Sequence, residues 1–138
     1  MYSLESHLVN DFTDYIQNPR NLFSISNFAF EFDYRNGRVD VICQSGKGYL
    51  LSFEAKLYDW KKALNQAYRN TCFSHYSYVL LPKKMVPKVK NYYQEFRRRN
   101  VGLCSMNNQK AYIEIPASKR KPIQPWLTES AINHILNG

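Results

Sequence analysis

Three side chains in the stretch GRVDVICQSGKGYLLSFEAK, residues 37–56, could do chemistry together: Asp40, Glu54 and Lys56. Asp40 interrupts one short apolar run. Glu54 and Lys56 are spaced E-x-K in a second run, with Glu54 14 positions after Asp40. Two carboxylates held across a strand pair can bind a hard divalent cation, because Mg2+ prefers oxygen ligands and keeps several waters. Such a cation polarises a phosphoryl oxygen, lowers the pKa of a water and steadies the leaving oxygen. A lysine two residues after the second acid projects on the same side of the strand. There it can position the attacking water or balance the developing negative charge. The chemistry these residue types support is phosphodiester hydrolysis.

The turns must place the three. Ser45-Gly46-Lys47-Gly48 separates the two runs. A three-residue loop of Gly46 to Gly48 pairs Ser45 with Tyr49 and sets Asp40 opposite Glu54, with a glycine in the left-handed position. A two-residue loop would set Asp40 against Phe53, on the wrong face. Leu51, Phe53, Ala55 and Leu57 then form an apolar face, and Ser52, Glu54 and Lys56 alternate with them. Upstream, LFSISNFAFEFDY (22–34) alternates as a strand, with Phe28, Phe30, Phe32 and Tyr34 on one face. Asn36-Gly37 is a tight-turn signal, since both central residues of that turn need positive φ. With that turn, Phe32 faces Val41, Phe30 faces Cys43 and Asp33 faces Asp40. One face of the three-strand meander is then hydrophobic, and the other gathers Asp33, Asp40, Glu54 and Lys56. An acid at a hairpin end such as Asp33 also suits a purely structural role.

The rest of the chain supplies helices and further strands. Residues 3–17 read as a helix with Ser3 as N-cap and Leu4, Leu8, Phe12, Tyr15 and Ile16 at helical spacing. Glu5 falls in its first turn, where an acid also suits the helix dipole. Asp59 caps a helix whose apolar stripe is Trp60, Ala63, Leu64, Ala67 and Tyr68, with Gln66 beside it. YSYVLL (76–81) is a nearly continuous apolar run, the pattern of a strand buried on both faces. Pro87 opens a helix through PKVKNYYQEFRRR. Val101–Met106 is another strand, 112–115 a partner or hairpin return, and 127–137 a closing helix started by Thr128. The expected fold is α/β: a central mixed sheet of four to five strands, an antiparallel meander plus parallel strands, flanked by helices. Residues 1–138 read as a single domain with a basic C-terminal extension over 117–138.

These features resemble the PD-(D/E)xK nuclease superfamily, which includes many restriction endonucleases and the archaeal Holliday-junction resolvases. The residues that carry the resemblance are Asp40 in R-V-D-V and Glu54-Ala55-Lys56 in F-E-A-K. A valine precedes the aspartate where the motif has proline. The element order, an acid-bearing helix, a meander and then a helix, also matches, over roughly residues 3–106. The resemblance implies a restriction-endonuclease-like core in which Asp40 and Glu54 bind metal and Lys56 positions the water. It implies that Glu5 is the first-helix acid, as a further metal ligand or beside one. It implies that Gln66 is the glutamine that many members direct at the active site. The cofactor implied is Mg2+, with Mn2+ able to substitute.

The chain carries 19 basic and 11 acidic residues, a net charge of +8. A basic domain raises the local concentration of polyanions, and nucleic acid is the commonest cytosolic one. Lys83, Lys84, Lys88, Arg97, Arg98, Lys119, Arg120 and Lys121, interleaved with some of the 11 tyrosines, are the candidate nucleic-acid contacts. The three cysteines make no C-x-x-C pair, which points to a reducing cytoplasm. The N-terminus lacks the basic and apolar regions of a signal peptide, and no apolar run is long enough to cross a bilayer. The expected function is metal-dependent endonucleolytic hydrolysis of DNA, structure-directed or weakly specific, with RNA left open. A symmetric homodimer would suit cutting two strands. The alternative is a catalytically inactive nucleic-acid-binding module on the same fold.

Overall fold

The structure, a computed structural model, describes residues 2–35 and 37–137. Its strands are β1 (Ile25–Tyr34), β2 (Gly37–Ser45), β3 (Leu50–Ala55), β4 (Tyr76–Pro82), β5 (Val101–Asn107) and β6 (Lys110–Ile115). They form one six-stranded sheet in chain order, one or two strands more than expected. β6 returns antiparallel beside β5, as the hairpin return expected over 112–115. β1, β2 and β3 form the antiparallel meander, and β3, β4 and β5 run parallel.

Each parallel step is bridged by helix. α2 (Trp60–Asn70) joins β3 to β4, and α3 (Val86–Val89) and α4 (Tyr93–Arg98) join β4 to β5. Trp60, Ala63, Leu64 and Ala67 of α2 pack with Val79, Leu81, Val89, Phe96 and Leu103 on one face. α1 (Glu5–Ile16) covers the other face, where Leu8, Phe12 and Ile16 meet Val41, Phe53, Ala55, Leu80 and Cys104. Phe12, Phe23 and Tyr78 surround Phe53 at ring separations of 4.5, 5.2 and 5.3 Å. Each such ring contributes about 1.5–3 kcal/mol by leaving water. α5 (Pro125–Asn137) closes a third cluster, with Ala131 and Ile135 on Phe32, Val39, Ile42 and Phe73. β3 is therefore buried along its whole length, which corrects the expectation of a meander with one apolar and one charged face.

The registers divide between agreement and correction. β2 and β3 pair as expected, with Val41 opposite Phe53 and Cys43 opposite Leu51, and Gly48 takes the left-handed position at φ 90°. The β1–β2 turn lies one residue earlier than expected. Tyr34 pairs with Gly37, and Asn36, on which the expected turn falls, lies outside the described residues. Phe30 therefore faces Val41, and Asp33 faces Arg38 rather than Asp40. The Arg38 guanidinium bonds Asp33 at 2.6 Å on the exposed hairpin and holds its carboxyl below the usual range. Glu31, at φ 55°, also breaks the alternation of β1, so that Phe32 packs with Ala29 three positions away.

The helix termini hold smaller corrections. Ser3 does not cap α1; Leu4 occupies that position without a side-chain bond. Asp59 does cap α2, accepting from the Lys62 N–H at 3.2 Å. The expected helix after Pro87 is broken into α3, a 3₁₀ turn and α4, because the Tyr92 backbone leaves helical values at φ −110°, ψ 24°. α5 begins at Pro125, a residue suited to a first helical position. Thr128 lies within it and donates its hydroxyl to the Phe73 carbonyl at 2.7 Å. Among the described residues no helix is long and apolar enough to cross a membrane.

Candidate active site

The β2–β3 ladder ends at Val41 and Phe53. Continued, it would bring Ala55 opposite Val39. The Ala55 N–H instead donates to the Asp40 carboxylate, Oδ2, at 2.8 Å. On its other side β3 keeps its parallel pairing, Glu54 with Val79 and Ala55 with Leu80, and the Lys56 N–H donates to the Leu80 carbonyl. β2 and β3 thus part at one end while β3 stays fixed to β4. Asp40 stands in the opening.

The opening gathers two acids. Glu54 is buried, with 1% of its surface exposed, and lies within hydrogen-bonding reach of Asp40. Burial pushes its carboxyl up to about 8, the Asp40 charge adds to this, and a bond from Asn70 opposes it. The Asp40 carboxyl is also raised by burial, against the Ala55 N–H bond and the nearby Lys56 charge. Asp40 lines a cleft of about 380 Å3 with Glu5, Ser6, Val9, Asn10 and Phe30, so the pair opens to solvent through Asp40.

Lys56 sits at this mouth, with 19% of its side chain exposed. Its ammonium is 3.6 Å from Glu5 Oε1 and acts electrostatically on both Asp40 and Glu54. Glu5 is thereby placed at the site as the partner of Lys56. Gln66 is on α2 one turn before Asn70, which touches Glu54. Asp40, Glu54, Lys56 and Glu5 come together, whereas Gln66 is tied to them only through its place on α2, one turn from Asn70.

Glu54 Oε1 and, on α2, Gln66 Oε1 are buried without a hydrogen-bond partner. Both are acceptors, and a buried acceptor without a donor costs about 1–3 kcal/mol. A hard cation would satisfy such oxygens, and two carboxylates plus water are a donor set that Mg2+ uses. Among the described residues no cluster of three or more His, Cys, Asp or Glu side chains is placed to hold a metal ion. The residues fit a site of two carboxylates completed by water.

The basic candidates divide between the two ends of the sheet. Lys83 and Lys84 follow β4 directly, at the Glu54 end. Lys83 Nζ bonds Glu114 at 2.6 Å and lies 4.2 Å from the Tyr112 ring centre, and Lys84 lies over Tyr58. They line a cleft of about 740 Å3 with Tyr2, Asp11, Asn107 and Gln109. Lys88 is exposed on α3. Arg97 and Arg98 are on α4, close to where β5 begins, and Arg98 pairs with Glu95 at 2.6 Å. Lys119 lies 3.8 Å from the Tyr49 ring centre, and the Arg120 N–H bonds the His75 carbonyl. Arg97, Arg98, Lys119, Arg120 and Lys121 thus belong to the end of the sheet away from Glu54.

Sequence reasoning missed Asn70 and Tyr34. Asn70 Nδ2 donates to Glu54 Oε2 at 2.7 Å, and the Tyr34 hydroxyl donates to Asn70 Oδ1 at 2.8 Å. The one available signal was spacing: Asn70 is four positions after Gln66, on the same side of α2.

No protein-family model and no curated protein matches the chain. Its structure is similar to that of SPO1766, a protein of unknown function from Silicibacter pomeroyi. The TM-score is 0.73 at 16% identity, over 99% of this chain and 87% of that one. Two other solved structures match at a TM-score of 0.43. One is a repair endonuclease from Pyrococcus abyssi, 20% identical over 64% of this chain and 45% of that one. The other is SfsA from Pyrococcus furiosus in complex with Ca2+, 9% identical over 84% of this chain and 63% of that one. The likeness to SPO1766 shows a shared fold. The two at 0.43 are too distant to add to it.

Proposed function

We propose that the protein is a divalent-metal-dependent nuclease of the PD-(D/E)xK kind that hydrolyses phosphodiester bonds in DNA. The observation that carries this reading is the opening between β2 and β3. There Asp40 and a Glu54 raised to about 8 face each other, Lys56 stands at the mouth, and Glu54 Oε1 has no partner. Asp40 and Glu54 would hold Mg2+, with Mn2+ as a substitute. When bound, the cation would lower the pKa of a water and offset charge on the phosphoryl group. Lys56, kept in place by Glu5, donates to the attacking water or to the oxyanion that develops. Gln66 would offer its buried carbonyl oxygen to the same water. Lys83 and Lys84, at the same end of the sheet, would hold flanking phosphates.

Structure-directed or weakly specific cleavage is the mode proposed. The test is cleavage of duplex, single-stranded and branched DNA and of RNA, side by side, with Mg2+ and with EDTA. Cleavage of at least one DNA substrate with Mg2+ and none with EDTA is the expected result. Binding to all of them without any cleavage in Mg2+ or Mn2+ would overturn the nuclease reading in favour of an inactive binding module.

A further inference from the structure

Asn70 is the last residue of α2 and is buried, with 1% of its surface exposed. Its amide makes two bonds of good length, accepting at Oδ1 from Tyr34 and donating through Nδ2 to Glu54 Oε2. When ionised, as it would be with a cation bound, Glu54 can only accept, so it needs the amide's nitrogen side. The other side of the amide is then an oxygen that needs a donor, and the Tyr34 hydroxyl supplies it. The three residues come from β1, α2 and β3, so neighbouring sequence does not bring them together.

Glu54 has its main chain fixed by pairing with Val79 on β4, but its side chain has rotatable bonds of its own. The Asn70 bond removes that freedom at one oxygen only. Oε2 is satisfied, and Oε1 is left buried and unpartnered on a side chain that interacts with Asp40. We propose that Asn70, held in orientation by Tyr34, is a positioning residue that fixes Glu54 through Oε2 and keeps Oε1 open to a divalent cation shared with Asp40. The proposal rests on the metal-dependent reading of the site. Partners one step out from a metal ligand set its orientation, and removing them weakens metal binding or activity about 10–100-fold.

Tyr34→Phe is a clean perturbation, because the ring is held independently of its hydroxyl. It stacks on Phe32 and meets Phe73 edge-on at 4.9 Å between ring centres. The experiment has two arms on the full chain. The first is calorimetric titration of Mn2+ into the wild type, Tyr34→Phe and Asn70→Leu, with thermal unfolding of each. Mn2+ binding should weaken about 10–100-fold in Asn70→Leu. It should weaken about fivefold in Tyr34→Phe, the equivalent of one hydrogen bond. A purely structural role would lower the melting temperature and leave the Mn2+ affinity of folded protein unchanged. The second arm needs no metal: solvent exchange of the Asn70 side-chain amide protons followed by NMR. Exchange should be slow in the wild type and faster in Tyr34→Phe.

Wild-type Mn2+ affinity in both folded variants, or equal amide exchange in wild type and Tyr34→Phe, overturns the role of Asn70 and Tyr34 alone. A wild type that binds no Mn2+ overturns the nuclease reading and this role with it. The two failures are thus told apart in one series.

Discussion

At its turn end the β2–β3 pair is complete. The Ser45 N–H donates to the Tyr49 carbonyl at 2.8 Å, and the Tyr49 N–H donates to Ser45 Oγ at 3.1 Å. The His75 ring accepts at Nδ1 from the Leu50 N–H, and Lys119 lies over Tyr49. At the opposite end of the same two strands the ladder stops at Val41 and Phe53, and the Asp40 side chain takes the next bond. Burial raises both acids there, and Glu54 Oε1 faces no donor. The turn end spends its polar groups on itself, whereas the open end leaves an anionic site partly unpaired, a state of real cost to the fold. The proposed cation would offset that charge.

The two ends should differ most at Lys56. Lys56→Ala should lower Mg2+-dependent cleavage by about 100–1000-fold, the scale of removing one preorganised donor. Lys119→Ala, at the turn end, should leave the rate within about twofold, as for surface changes away from the chemistry. Equal losses in a single-turnover assay would abolish the distinction between the ends.

The next effect concerns pH. The Glu54 carboxyl stands at about 8 in the folded chain against an ordinary 4.5, so the folded chain holds the extra proton between these values. Stability from this group is complete below the lower value and is lost as pH rises through the upper one. In metal-free protein, urea unfolding should therefore show a loss on the order of a few kcal/mol between about pH 5 and pH 9. Glu54→Gln should flatten that slope and be the more stable protein at the alkaline end. An unchanged slope in the variant would place the strain elsewhere.

The turn end should respond to volume rather than charge. A Cβ on Gly102 would lie 2.6 Å from both the Ala117 nitrogen and the Ile115 carbonyl oxygen and press on the Tyr78 ring. Gly102→Ala should cost about 1–3 kcal/mol in urea unfolding, as overpacking does. A variant as stable as wild type would show that this end yields. The smallest effect is in substrate binding. Lys84→Ala should reduce the slope of log affinity against log salt by about 1, and Lys119→Ala should leave it unchanged. Equal reductions would mean that the nucleic acid spans both ends.

Much of this was legible in the sequence where local signals were unambiguous. The Gly46–Gly48 loop set the β2–β3 register, because only one parity puts Val41, Cys43, Leu51 and Phe53 on one face. The β1–β2 hairpin misled, because Asn36-Gly37 has the composition of a tight turn while Gly37 itself pairs within β2. The alternation of β1 hid the left-handed Glu31, a conformation few non-glycine residues advertise. β6 was weakly marked, since KAYIEI is short and half exposed. Asp40, Glu54 and Lys56 could be assembled from register and spacing, and Glu5 from the family resemblance. Asn70 and Tyr34 could not, because 36 positions separate them and only the folded sheet brings one to the other.

The most direct test of the open end as a cation site is Mn2+ titration by calorimetry into the wild type, Asp40→Asn and Glu54→Gln. One site in the wild type, lost in both variants while circular dichroism shows them folded, is the predicted result. No binding in the wild type, or binding kept in both variants, would contradict it.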